Sequence, residues 1–328
     1  LASGGYVVTW NNTVPGGGAG DPGLLGVFAQ VFNASGAPVG AETQVSPLGY
    51  SQRTTALTDG TYLVTWTQAV DYPWSGVMAQ RFDASGQALG QIWPLDQDLE
   101  ATLATVTATA SGFIAVWRAY GEGDSTVALQ SFANDGTRLG EVVRLLRDTE
   151  ATSPEIVALA DGGLVVVWYQ SGGLYAQLLD GDGQPSGDRL LIDTAATPGV
   201  GMLHSVVATP DGGFTVAWEQ GPRLSSNTIE VRAFLADGSP QGEAITVRGP
   251  TGSPGEPPAL IVLPSGDLVL TYSRYVGNVT DYYDVFQVRM EPLVRTTRGS
   301  DAVDHMTGTD GKDRLIGLDG DDVLTGGR

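Results

Sequence analysis

Near the C-terminal end, carboxylates recur with a fixed spacing. Residues 299–325 divide into three consecutive nonapeptides, GSDAVDHMT, GTDGKDRLI and GLDGDDVLT, and Gly326 and Gly327 open a fourth. Each carries Gly at position 1, Asp at position 3 (Asp301, Asp310, Asp319), Asp at position 6 (Asp304, Asp313, Asp322) and an apolar residue at position 8. Glycine permits tight turns that bring carbonyl oxygens together, and the aspartates add carboxylates along those turns. Hard oxygen donors in a flexible cage suit calcium. Other chemistry is sparse. There is no cysteine, which excludes disulfides, thiolate nucleophiles and Cys-ligated metal sites. The only histidines are His204 and His305, so a two-His metal site would need both.

The nonapeptides resemble the glycine- and aspartate-rich repeats of RTX proteins, whose pattern is G-G-x-G-x-D-x-U-x. The resemblance implies a parallel β-roll with position 8 pointing inward. It implies Asp304, Asp313 and Asp322 as first-choice calcium ligands, with Asp301, Asp310 and Asp319 as second-choice ligands or solvated neighbours. It also implies a secreted protein, exported by type I secretion and folding in external calcium, with an export signal expected beyond Arg328. Position 2 is Ser, Thr or Leu instead of Gly, and Ala302 and His305 mark the first copy as a degenerate cap.

The residues before this tail form a longer repeat. Trp10, Trp66, Trp117, Trp168 and Trp218 recur at intervals of 50 to 56 residues, and Tyr272 takes the sixth place. Each closes an apolar run: GGYVVTW, GTYLVTW, SGFIAVW, GGLVVVW, GGFTVAW and SGDLVLTY. A second block follows each run (GVFAQVFNASG, GVMAQRFDASG), a third trails five copies, and a fourth precedes the Trp block from the second copy on. The blocks are rich in β-branched and aromatic residues and end in DG or SG, which predicts strands joined by two-residue hairpin tips. No stretch shows a helical period. Four antiparallel strands in about 50 residues predict a β-propeller blade. The fold expected is therefore all-β: a propeller of six or seven four-stranded blades over residues 1–295, then the start of a parallel RTX β-roll over 296–328. These units also resemble the tandem repeats of large secreted RTX proteins.

Blades need neighbours to cover their faces, so the repeating Trp residues are expected in packing. Gln30, Gln80, Gln130 and Gln177 recur one strand later and are expected to satisfy backbone groups or bridge blades. With strands A to D and Trp on B, the A–B and C–D turns share one side and the B–C and D–A loops the other. The B–C loops vary in length and content, and variable loops on a rigid scaffold are the usual place for recognition. They bring Tyr72 and Trp74, Tyr120, and Tyr275, Tyr282 and Tyr283 to that side as candidates for stacking on sugars or a protein partner. His204, with Tyr50, Arg53 and Glu155, is a candidate cluster on the D–A loops. The segment LLDGDGQPSGDRLLI, with Asp180, Asp182 and Asp188, has the look of a calcium loop but occupies a hairpin position.

Thirty-seven acids against 17 bases give a net charge of −20, which speaks against nucleic acid or an anionic membrane as partner. No apolar run is long enough to span a bilayer. The sequence therefore points to an extracellular or cell-surface calcium protein whose propeller binds an extracellular glycan or a surface protein, adhesively or structurally. The alternative is an extracellular polysaccharide lyase or glycoside hydrolase working from the variable-loop side.

Overall fold

The computed structural model describes residues 1–13, 25–71, 74–96, 101–120, 125–145, 151–170, 173–194, 204–220, 228–248, 253–254, 258–275, 283–290, 295–298, 305–307, 313–316 and 323–325. All the regular structure among them is strand. The first sheet holds β1 (Tyr6–Thr13), β2 (Leu25–Phe32) and β3 (Pro38–Ser46). The second runs β4 (Tyr50–Ala56), β5 (Tyr62–Asp71), β6 (Trp74–Phe82) and β7 (Ala88–Pro94). The third runs β8 (Ala101–Thr109), β9 (Gly112–Tyr120), β10 (Ser125–Phe132) and β11 (Arg138–Arg144). The fourth runs β12 (Thr152–Ala158), β13 (Leu164–Gln170), β14 (Gly173–Leu179) and β15 (Leu190–Asp193). The fifth runs β16 (His204–Ala208), β17 (Phe214–Gln220), β18 (Thr228–Phe234) and β19 (Pro240–Arg248). In the sixth, β20 (Ser253–Pro254) and β21 (Ala259–Val262) share one edge of β22 (Leu268–Tyr275), and β23 (Tyr283–Met290) takes the other. There are thus six blades among the described residues, not seven. They fall into two compact units, Leu1–Ala158 with Gly162–Leu191, and Leu159–Asp161 with Ile192–Arg328.

In the second, third and fourth blades the Trp strand is buried continuously up to its Trp, because neighbouring blades cover both its faces. In β13 all residues but Gln170 are buried. Trp117 packs in a cluster with Leu57, Leu63 and Val77 of the second blade, and Trp168 in one with Ile114, Val116 and Leu129 of the third. Trp66 likewise meets Val27 and Val31 of the first. Trp66, Trp117 and Trp168 therefore fill the seam with the preceding blade, as their recurrence implied. Gly49 is fixed by the same packing, because a Cβ there would sit 2.4 Å from the Trp66 ring. In the second unit Tyr272 plays the part of Trp, in a cluster with Ile229 and Val231.

The recurrent glutamines act inside their own blades. Between Ala29 and Val31, Ala79 and Arg81, and Leu129 and Ser131 of the C strands, the C–D register slips by a bulge. The slip leaves carbonyls turned away from the ladder, and the amide across from them supplies the donor. Gln80 Nε2 donates to the carbonyls of Arg81 and Leu89 at 3.0 and 3.1 Å, and Gln130 does the same for Ser131 and Leu139. Arg232 replaces the glutamine in the fifth blade and donates to Gly242 O at 3.1 Å.

The hairpin tips hold three residues instead of two. Asn33 pairs with Ala37 around a turn closed by Gly36 at φ 80°, and the same bonds recur at Asp83 and Gln87 with Gly86 at 89°. The last position needs positive φ, which is why it is glycine. The aspartate or asparagine at the tip start accepts backbone N–H bonds. Asp180 does so from Asp182 and Gln184, so the calcium-loop look-alike is a hairpin.

In the tail, β24 (Arg295–Arg298) pairs parallel with β26 (Asp313–Ile316), and β25 (His305–Thr307) parallel with β27 (Val323–Thr325). Both registers, Arg295 with Asp313 and His305 with Val323, are offset by two nonapeptides.

Candidate functional site

In the first unit the leading strands β4, β8 and β12 lie side by side. Short hydroxyl side chains join them. Thr55 Oγ1 donates to Val106 O and Thr105 Oγ1 to Pro154 O, each at 3.2 Å, and Ala158 N donates to Thr107 Oγ1 at 3.2 Å. Near its start each leading strand carries a bulge against its Trp strand, between Tyr50 and Arg53, Thr102 and Thr105, and Thr152 and Glu155. Two of the bulged residues, Ser51 and Ser153, stand in the left-handed region at φ 53° and 52°. A bulge re-aims the side chains around it, and non-glycine backbone in this region costs energy that functional sites often hold.

The registers make Arg53, Thr105 and Glu155 equivalent. They face Thr65, Val116 and Val167, in each case the residue before the repeating Trp. Three adjacent strands thus offer a guanidinium, a hydroxyl and a carboxylate at one level, on the side of the B–C and D–A loops. Tyr50 and Arg53 are exposed and Glu155 is half-buried.

Beside them stands Arg118, opposite Thr102. Its guanidinium lies over the Tyr120 ring, 4.6 Å from the centroid, and its Nη2 donates to Ser125 Oγ at 3.2 Å. Ser125 is buried and donates in turn to Ala151 O at 3.0 Å, which ties the arm to the next blade. Arg118 Nε is buried and has no hydrogen-bond partner among the described residues. Tyr120 remains 41% exposed. The arrangement presents an aromatic ring, stiffened by a cation, to solvent.

Of the six aromatic residues expected here, Tyr120 is placed with its side chain, at the end of β9 and paired with Ser125 instead of within a loop. Trp74 and Tyr283 also prove to be strand residues, the first of β6 and β23, paired with Asp71 and Tyr275. Tyr72 and Tyr282 lie outside the described residues. So do Asp301, Asp304, Asp310, Asp319 and Asp322 of the tail, while Asp313 opens β26. Arg118 and Ser125 were not anticipated. The signal was the residue after the repeating Trp, which changes with every copy (Asn11, Thr67, Arg118, Tyr169, Glu219, Ser273) inside an otherwise constant run.

In the second unit, His204 is buried and opens β16 instead of preceding it. One ladder row across the fifth blade reads His204, Trp218, Glu230, Thr246. Glu230 is 8% exposed and both its oxygens accept from Thr246 Oγ1, at 2.9 and 3.1 Å. Burial withholds this imidazole from a polymer at the surface. Tyr50, Arg53 and Glu155 belong to the first unit and His204 to the second.

No protein-family model matches the sequence, and no curated protein does. Solved structures do match. A GH93 α-L-arabinofuranosidase of Fusarium graminearum, in complex with arabinobiose, is 13% identical at a TM-score of 0.56, covering 88% of this chain and 90% of that one. An α-L-arabinanase of Penicillium chrysogenum, also with arabinobiose, is 17% identical at 0.51, covering 86% and 92%. An ulvan lyase of polysaccharide lyase family PL25, bound to a GlcA–Rha3S oligosaccharide, is 10% identical at 0.51, covering 88% and 77%. At such identities the likeness speaks for the fold, an all-β, six-bladed β-propeller.

Proposed function

We propose that the protein is an extracellular carbohydrate-active propeller that engages a polysaccharide where its leading strands are bulged. The observation that carries this reading is the Tyr120 ring, exposed and held under Arg118, four residues along β9 from the level of Arg53, Thr105 and Glu155. A flat aromatic face stacks on the apolar face of a sugar, while guanidinium and hydroxyl groups bond its oxygens. Glu155 is the carboxylate available for proton transfer at that level, and Tyr50 and Arg53 are the groups that would accompany it in lyase or hydrolase chemistry. Propeller neighbours that bind arabinobiose and an ulvan oligosaccharide support the reading. The test is a screen of arabinans, ulvan and other polysaccharides for binding and for released product. Tyr120→Ala is expected to weaken binding about tenfold or more, and Glu155→Gln to stop product release with binding kept. Binding without any product would leave the adhesive module as the function, and no binding at all would remove both.

For the tail we propose a calcium-binding RTX roll with Asp304, Asp313 and Asp322 as its first ligands and Asp301, Asp310 and Asp319 as second. The parallel pairing at an offset of two nonapeptides supports it, because that spacing stacks equivalent turns over one another. Chelation followed by circular dichroism should unfold the tail and leave the propeller intact. A tail indifferent to chelation would remove the assignment.

A further inference from the structure

The repeat permits a comparison between two seams of the first unit. Trp93 of β7 and Val143 of β11 are equivalent: they pair with Ala79 and Leu129, each the residue after the one that faces its blade's repeating Trp. At the seam between the second and third blades, Trp93 fills the space under the incoming hairpin tip. A Cβ on Gly136 of that tip would lie 2.8 Å from its ring. At the next seam the tip glycine is Gly183, which meets Leu129 Cδ1 instead, at 3.0 Å from a would-be Cβ. Val143 is too short to reach, and a cavity of about 300 Å³ remains, open to solvent. Buried Ile114 and Leu129, with Val143, form its apolar wall, and Ser131, Glu141 and Asp182 line it with oxygen. The opening lies on the side of the A–B and C–D turns, opposite the site described above.

We infer that this cavity is a second binding site, for a neutral sugar ring. It opens at the position where the neighbouring seam holds a flat ring, the Trp93 indole. A pyranose or furanose has an apolar face for the aliphatic wall and hydroxyl donors for the carboxylate and hydroxyl oxygens. Glu141 and Asp182 repel uronates and sulfated sugars, which favours neutral sugars among glycans. The site is independent of the reading at Tyr120 and stands or falls separately from it.

The experiment uses the full chain, with the methyl glycosides of glucose, galactose, mannose and arabinofuranose as probes, glucuronate as a charged control and agmatine as a cationic one. Binding is followed by calorimetry and saturation-transfer NMR. At least one neutral glycoside is expected to bind, with glucuronate at least tenfold weaker. Val143→Trp, which installs the neighbouring seam's own residue, should abolish that binding and raise the melting temperature when compared in a Tyr120→Ala chain, which removes the other site's contribution. Glu141→Gln, at an exposed position that packing does not constrain, should weaken it severalfold and serves if Val143→Trp fails to fold. Absence of binding by every neutral glycoside, binding left unchanged by either substitution at the cavity, or agmatine binding tighter than any sugar would overturn the inference.

Discussion

The Trp218 indole donates its Nε1–H to the Asp193 carboxylate at 2.8 Å, whereas the Trp168 nitrogen is buried with no hydrogen-bond partner among the described residues. One repeat position is thus satisfied in the fifth blade and unsatisfied in the fourth. Removing the acceptor by Asp193→Ala should cost about 1–3 kcal/mol, the usual penalty of an orphaned buried donor. In a Trp218→Phe background the same change should cost much less. A double-mutant cycle in urea measures the difference, and equal losses in both backgrounds would exclude the bond as the cause.

The bulge carbonyls make a matched case. Gln130→Ala leaves acceptors on Ser131, Leu139 and Gly140 without their common donor, and should lower stability by about 1–3 kcal/mol. Gln130→Arg should be better tolerated, since Arg232 already serves the fifth blade. Chemical denaturation of the two variants ranks them, and an arginine variant as unstable as the alanine one would contradict the account.

Acid should act through the hairpin tips. The Ser85 hydroxyl and the Gln87 N–H hold the Asp83 carboxyl below its ordinary value, and the N–H groups of Thr137 and Ser239 do the same for Asp135 and Asp237. A depressed folded value means stability that is complete above the unfolded value of about 3.9 and is lost as pH falls through the folded one. Asn33 builds the same tip without a charge, accepting from Ser35 and Ala37. Asp83→Asn should therefore keep the fold at neutral pH and flatten the loss of stability as pH falls below about 4. Denaturation midpoints across that range are the readout.

Backbone strain at the bulges can be relieved one residue at a time. Ser153→Gly should be neutral or stabilising by up to about 1 kcal/mol, because glycine occupies the left-handed region without a Cβ clash. Ser153→Val should destabilise by about 1–2 kcal/mol. If the strain serves the site, the glycine variant gains stability and loses polysaccharide binding together. Thermal melts and the binding screen separate these outcomes.

The blades could be read from sequence because their signals are local and repeated. The Trp run, the second block and the glycine-closed tip each mark one strand or turn, and six copies reinforce one another. What escaped depends on register. A bulge adds one residue to one strand only, and nothing in YSQRTTA or TSPEIVA announces it, so the shared level of Arg53, Thr105 and Glu155 needed the paired strands. Tip length escaped for a related reason, since DG suits both a two-residue turn and the end of a three-residue one. His204 stood out by its rarity, yet only the ladder row with Trp218 shows that it is a buried strand residue.

The seating of each hairpin tip on the blade before it gives the first unit a direction. Gly86 rests against Val31, Gly136 against Trp93 and Gly183 against Leu129, always backwards along the chain. The blades are laid like roof tiles, each lapping the one already in place. Excising an interior tile leaves one lap uncovered and another with nothing beneath it, even though the copies look interchangeable. Exchange of whole blades should therefore succeed only when the lapping residues travel with them, so the unit of inheritance in this repeat is the seam, not the sheet.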